Sequence, residues 1–107
     1  MKLERPQVHT YSDYRRFLLD MYKFRKEGNV GFSFEFISSK IGTSRSYLKN
    51  IMDGRRHLSI DKISAVGKAF KLDKSEMDYF SVLVLKDICE EPLLKDLLKE
   101  ILRSFAS

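Results

Sequence analysis

Apolar residues recur along most of this chain at spacings of three and four, the period of a helix with one buried face. Tyr14, Phe17, Leu18, Met21 and Tyr22 follow Thr10 and Ser12 in this rhythm, and Gly28 stands where a helix would stop, which predicts a first helix over 12–27. The next stretch is ambiguous, because Val30, Phe32, Phe34 and Phe36 alternate like a strand. Ser33 is a good N-cap, however, with Phe32 and Ile37 placed to bracket it, and Phe34, Ile37 and Ile41 keep helical spacing, so a second helix is predicted over 34–41. The same start signal returns at Ser59, between Leu58 and Ile63, and at Asp73, between Leu72 and Met77, where Glu76 adds the partner of a capping box. Helices over 60–70 and 74–89 follow. Pro92 suits the first turn of a last helix, whose apolar positions run from Leu93 to Phe105. The expectation is an all-α domain of five to six helices, closed by an amphipathic C-terminal helix.

The domain plan is a flexible segment over 1–10, a helical body over 11–89 and the C-terminal helix over 90–107. A chain of 107 residues with 43% hydrophobic content, eight Phe and five Tyr supports one real core. No apolar stretch approaches the roughly 20 residues needed to cross a bilayer, and the N-terminus lacks the apolar block of a secretory signal. A cytoplasmic protein that does not enter the membrane is expected. Cys89 is alone, so no intrachain disulfide can form, and it reads as a small buried helix residue. With His9 and His57 as the only histidines, metal-ligand spacing is missing, as are a nucleophile elbow and a glycine-rich phosphate loop. Neither an enzyme nor a cofactor is expected. Charge divides along the chain: residues 1–71 hold 15 Lys/Arg against 7 Asp/Glu, a balance of +8, and residues 72–107 hold 5 against 8, a balance of −3. A basic body suggests attraction to phosphate; a solvated surface is the plainer account of the same charge.

The stretch from Phe34 to Asp53 meets the requirements of a helix-turn-helix, in which two helices join at a steep angle across a short turn. Ile37 and Ile41 give the first helix its apolar face, and Ser38 supplies a small residue where the helices approach. Gly42 is free to take positive φ in the turn. The second helix, beginning near Ser44 and ending near Asp53, can bury Leu48 and Ile51 while leaving Arg45, Ser46, Lys49 and Asn50 polar and outward. Thr43 departs from the small aliphatic usual in such turns, although its methyl can pack. A helical core of another purpose would show similar apolar spacing; the glycine, the small Ser38 and the polar face tip the balance towards double-stranded DNA as the partner.

The run IGTSRSYLKNIMDGRRHLS resembles the centre of the Xre/Cro and lambda-repressor type of domain, where a Gly-x-Ser-x-Ser-Tyr turn and helix lead into a glycine followed by basic residues and then Ser. The order YSDYRRFLLDMY, then FSFEFISSKIGTSRSYLKNIMDGRRHLS, then AFKLDKSEMDYFSVLV is similar to a bacterial group of poorly characterised regulator-like proteins, over about residues 11–85. The resemblance implies a lambda-repressor-like fold and DNA binding. It also implies either an N-terminal piece of a longer protein or a short relative, since members of that group continue into a second domain.

A reading helix offers its N-terminal side chains to base edges while basic groups around it hold phosphates. Arg45 is the leading candidate for a base contact, through a guanine edge, with Ser46, Lys49 and Asn50 on the same side. Arg55 and Arg56, beside Gly54, correspond to the loop that clamps phosphate in the domains this chain resembles. Ser33, Lys40, Ser44 and Tyr47 are further phosphate candidates, Ser33 through the helix start it caps. For Tyr47 a ring packed beneath the helix is an equal alternative. His57 reads as a loop residue near phosphate. On the last helix the apolar arc is wider than one buried contact requires, so either a homodimer through Leu94, Leu98, Leu102 and Phe105 or a downstream domain is expected to cover it, membrane association being the weaker alternative because the polar face is mixed in charge. The competing function is a helical protein-interaction module using the acidic C-terminal part.

Overall fold

The computed structural model describes residues 3–105, and all regular structure among them is helical. A 3-10 turn at Val8–Thr10 precedes α1 (Tyr14–Gly28), α2 (Phe34–Ile41), α3 (Arg45–Met52), a 3-10 turn at Ile60–Lys62, α4 (Ile63–Ala69), α5 (Lys74–Ile88) and α6 (Pro92–Ser104). Helix α2 has the limits that its cap and spacing predict. Helix α1 starts two residues later than expected because Asp13, not Ser12, caps it, accepting from the Arg15 N–H. Gly28 ends inside α1 and Asn29 takes the cap position.

One core joins α1 to α5. Tyr14, Phe17, Leu18 and Met21 of α1 meet Ile37 and Ile41 of α2, Leu48 and Ile51 of α3, Val66 of α4, and Phe80, Leu83 and Val84 of α5. Fully burying a side chain of the Leu, Ile or Phe class contributes about 1.5–3 kcal/mol, so this cluster fixes the helices' relative positions. Edge-on and tilted ring pairs link it further, Phe17 with Phe80 at 5.9 Å and Phe32 with Phe70 at 5.5 Å between centroids. The capping box at α5 forms as expected: Asp73 accepts from the Glu76 N–H at 2.8 Å and Glu76 accepts from the Asp73 N–H at 2.9 Å.

Four expectations need correction. The segment over 1–10 is not a loose arm where it is described: Val8 is fully buried in the core, and Arg5 holds Glu76 through one nitrogen at 2.8 Å and 3.0 Å. Residues 1 and 2 of that segment, and 106 and 107 of the C-terminal one, lie outside the described residues. Helix α4 is shorter than 60–70, since a 3-10 turn fills its first three positions. The Ser59 hydroxyl makes no cap there because it is bonded to Tyr47 instead. Cys89 is only half-buried and caps α5 from outside, its thiol donating to the Glu91 carbonyl at 3.5 Å. Finally, α6 has no buried residue: Leu98, Leu102 and Phe105 are half-covered, with Leu102 and Phe105 packed on the core, while Leu94 stays exposed. The large apolar residues left exposed on α6 are therefore Leu93, Leu94, Leu97 and Ile101, of which Leu94 belongs to the set expected for pairing. No helix among the described residues is long and apolar enough to cross a membrane.

Candidate nucleic-acid interface

The junction between α2 and α3 is built by backbone chemistry that only its sequence permits. Ser33 accepts from the Phe36 N–H at 3.1 Å and starts α2. At the other end Gly42 lies in the left-handed region, φ 72°, which lets its N–H reach the Ser39 carbonyl and the Thr43 N–H reach the Ser38 carbonyl at 2.9 Å. Lys62, from the turn before α4, donates to the Ile41 carbonyl at 3.1 Å and so satisfies another of the last carbonyls of α2. Ser38 is buried on α2, where a larger side chain would need room that the packed core does not offer. Its hydroxyl and that of Thr43 have no partner, so smallness is what the site takes from Ser38.

Helix α3 then divides cleanly. Tyr47, Leu48 and Ile51 are buried, while Ser44, Arg45, Ser46 and Lys49 are exposed and Asn50 is half-exposed at the edge. At 100° per residue Arg45, Ser46, Lys49 and Asn50 share one side and Tyr47, Leu48 and Ile51 the other, with Ser44 at the N-cap. The Arg45 guanidinium has neither a hydrogen bond nor an ion pair among the described residues. Lys49 is loosely paired, 3.9 Å from Asp53 across one helical turn, an interaction that exposed solvent screens. Ser44 begins the helix without a side-chain cap bond, its hydroxyl lying 3.3 Å from that of Ser46.

After α3 the chain turns through Gly54, φ 81°, into Arg55 and Arg56. This loop is held from beneath by two adjacent residues of α1. Arg15 donates through Nε to the Ile51 carbonyl at 3.0 Å and through a terminal nitrogen to the Arg56 carbonyl at 2.8 Å. The Tyr14 hydroxyl accepts from the Leu58 N–H at 3.0 Å and shares a hydrogen bond with Nδ1 of His57, also at 3.0 Å. Burial pushes the Tyr14 phenol above its ordinary pKa. Tyr14 is in turn fixed by Asp87 of α5, which accepts its backbone N–H at 2.9 Å. The Arg56 carbonyl is thus engaged inward while both arginine side chains are exposed, Arg56 stacking its guanidinium 4.5 Å from the Tyr47 ring centroid.

The candidates named from sequence fall into two groups. Ser44, Arg45, Ser46, Lys49, Asn50, Arg55 and Arg56 form one continuous stretch of helix and loop. Ser33 and Lys40 sit apart on α2, Ser33 with its hydroxyl occupied as a cap and Lys40 with its ammonium 5.5 Å from the Phe36 ring centroid. Tyr47 is packed: its hydroxyl accepts from the Ser59 N–H at 2.9 Å and donates to the Ser59 hydroxyl at 3.1 Å. His57 serves the loop through Tyr14. The supporting residues Tyr14, Arg15 and Lys62 escaped sequence reasoning, since Arg15 looks like any polar position of α1 and its acceptors lie 36 and 41 residues away. A buried tyrosine in search of a hydroxyl partner was the one available signal. Comparison of the chain with protein-family models, with curated proteins and with solved structures returns no match.

Proposed function

We propose that this chain binds double-stranded DNA in a sequence-specific manner, as a transcription regulator or the DNA-binding part of one, with α3 in the major groove. The observation that carries the reading is the polar side of α3, unpaired at Arg45 and continuous with the exposed Arg55 and Arg56 on a loop fixed from below. An α-helix fits the major groove, where an arginine fork meets two acceptors on guanine and Asn50 can meet an adenine edge. Arg55 and Arg56 supply the sequence-independent part by neutralising phosphates, and Ser44 with the open backbone N–H groups of α3 adds a further anion contact. Lys40 and Ser33 contribute less in this reading, because they lie off the main stretch. In this reading the protein works in the cytoplasm.

The reading includes a homodimer in which two copies bring their α3 helices to successive turns of one DNA face, about 34 Å apart. The pairing surface in this reading is Leu93, Leu94, Leu97 and Ile101 of α6, a choice supported by their exposure of between 37% and 78%. Selection of bound sequences from a random duplex pool, followed by anisotropy titration of the selected site and of random DNA, tests the proposal. Arg45→Ala should cost about 1–3 kcal/mol on the selected site and less on random duplex. Failure of any sequence to enrich would refute the assignment of α3 as a reading helix.

A further inference from the structure

A groove of about 1330 Å³ opens on the face formed by the end of α1, the outer side of α2 and α4. Its floor is apolar: the rings of Phe24, Phe32 and Phe36 on one side, Ala65 and Ala69 on the other. Phe36 is 42% exposed, and Leu3 at the rim 47%. Sites for small organic ligands have this composition, an apolar lining with a few charged groups that fix the orientation.

The charged groups here are mostly cations. Arg25, Lys40, Lys68 and Lys71 line the groove, and none of them makes an ion pair with a carboxylate among the described residues. Against them stand Glu27, which accepts from the Leu3 N–H at 2.8 Å, and Asp61. Arg25 is the most constrained: one terminal nitrogen donates to the Phe70 carbonyl at 3.1 Å, while the buried Nε has no acceptor. Desolvation lowers its pKa, and the neighbouring Arg5 charge lowers it further against the opposing pull of Glu76, so burial outweighs the one carboxylate that acts on it. The ends of α1 and α4 favour nearby cations on their own account, but that does not explain an apolar floor beneath them.

Lys71 adds an independent observation. Three helices close with the same pair of backbone bonds, and in α2 and α3 the residue in the left-handed region is glycine, Gly42 and Gly54. In α4 it is Lys71, φ 58°, with its N–H on the Lys68 carbonyl and the Leu72 N–H on the Gly67 carbonyl. A lysine holds this backbone at a cost that glycine avoids, and it is the one non-glycine residue with positive φ among those described. The strained residue borders the groove.

We propose that this groove binds an amphiphilic anion, an elongated apolar body seated over Phe24, Phe32, Phe36, Ala65 and Ala69 with a single anionic head met by Arg25, Lys68 and Lys71. The ligand bridges α1, α2 and α4 and stabilises the folded domain by mass action. The proposal stands apart from the reading of α3 and is tested without DNA. Calorimetric titration and melting-temperature shifts would compare decanoate, decan-1-ol and decyltrimethylammonium, one chain with three heads, each below its micelle concentration. Saturable binding of one decanoate, at least tenfold tighter than the alcohol and with no saturable binding of the cation, is the expected result. Lys71→Gly removes a cation and suits the backbone, so it should keep or raise the melting temperature while weakening decanoate at least threefold. Ala69→Leu should weaken decanoate and decanol together by occupying the floor. Equal affinity for decanoate and decanol, an unchanged decanoate affinity in a folded Lys71→Gly, or no saturable binding of decanoate would each overturn the proposal.

Discussion

Helices α3 and α6 carry comparable amphipathic patterns and meet opposite fates. In α3 the apolar residues Tyr47, Leu48 and Ile51 are all buried, and the polar side is left as the outer surface. In α6 the longer apolar arc buries nothing completely, and Leu93, Leu94, Leu97 and Ile101 face outward although the spacing is as regular. The difference lies in what is underneath. Helix α3 lies on α1 and α2 and closes over a shared core, whereas α6 packs chiefly on α5 and touches the core through Leu102 and Phe105. Amphipathic spacing therefore reports that a helix has an apolar face; the neighbouring elements decide how much of that face is covered.

Shortening one leucine on each helix puts this contrast under the greatest strain. Leu48→Ala, in the fully buried position, should cost about 3 kcal/mol, within the roughly 2–5 kcal/mol range for such truncations. Leu97→Ala, with half of its surface already exposed, should cost less than about 1 kcal/mol in dilute solution. A concentration-dependent cost at Leu97, read by urea unfolding beside sedimentation, would show that a second copy covers the face. Equal costs in a monomer would overturn the contrast itself.

Next in size is the turn that joins α2 to α3. Gly42→Val should cost about 1–2 kcal/mol, because the left-handed backbone penalises a side chain; space is not the obstacle, since the nearest atom to an added Cβ is the Lys62 ammonium at 3.8 Å. The matching change in the α6 region, Leu93→Val, should leave the melting temperature nearly unmoved. An unaltered melting temperature for Gly42→Val would contradict the role of that residue in closing α2.

The smallest effect concerns alkaline pH and belongs to the body alone. The Tyr11 pKa is pushed up to about 12, first by burial and then by its hydrogen bond to Asp20 at 2.6 Å. Burial shifts Tyr14 and Tyr79 in the same direction. A raised pKa means that the unfolded chain loses its phenol protons first, so the stabilisation is complete below about pH 10 and is lost as pH climbs towards 12. Urea midpoints measured from about pH 9 to about pH 11 should fall, and Tyr11→Phe should flatten the fall. An identical profile in the variant would remove Tyr11 as a contributor.

The sequence carried local devices well and long-range support poorly. The limits of α2, the left-handed Gly42, the α5 capping box and Pro92 at the start of α6 follow from neighbours within a few residues, and each is present. The all-helical architecture follows from their sum. What escaped was the packing of Val8 and Arg5, since a short polar segment gives no periodicity to read, and the diversion of Ser59 to Tyr47. Within the candidate interface the exposed residues of α3 were legible from helical geometry. Arg15 beneath the loop was not, because nothing near it in sequence marks its distant acceptors.

Whether α3 and the loop behind it hold a DNA duplex is decided by the salt dependence of binding. The slope of log K against log salt would be measured for the intact chain and for the double variant Arg55→Ala, Arg56→Ala, with helical content checked in both. Measurable duplex binding is expected, with a slope that becomes shallower by roughly two units in the variant, at about 0.9 for each phosphate no longer neutralised, while the fold is retained. Binding that ignores salt, or a folded variant with unchanged affinity and slope, would contradict the assignment of this surface to DNA.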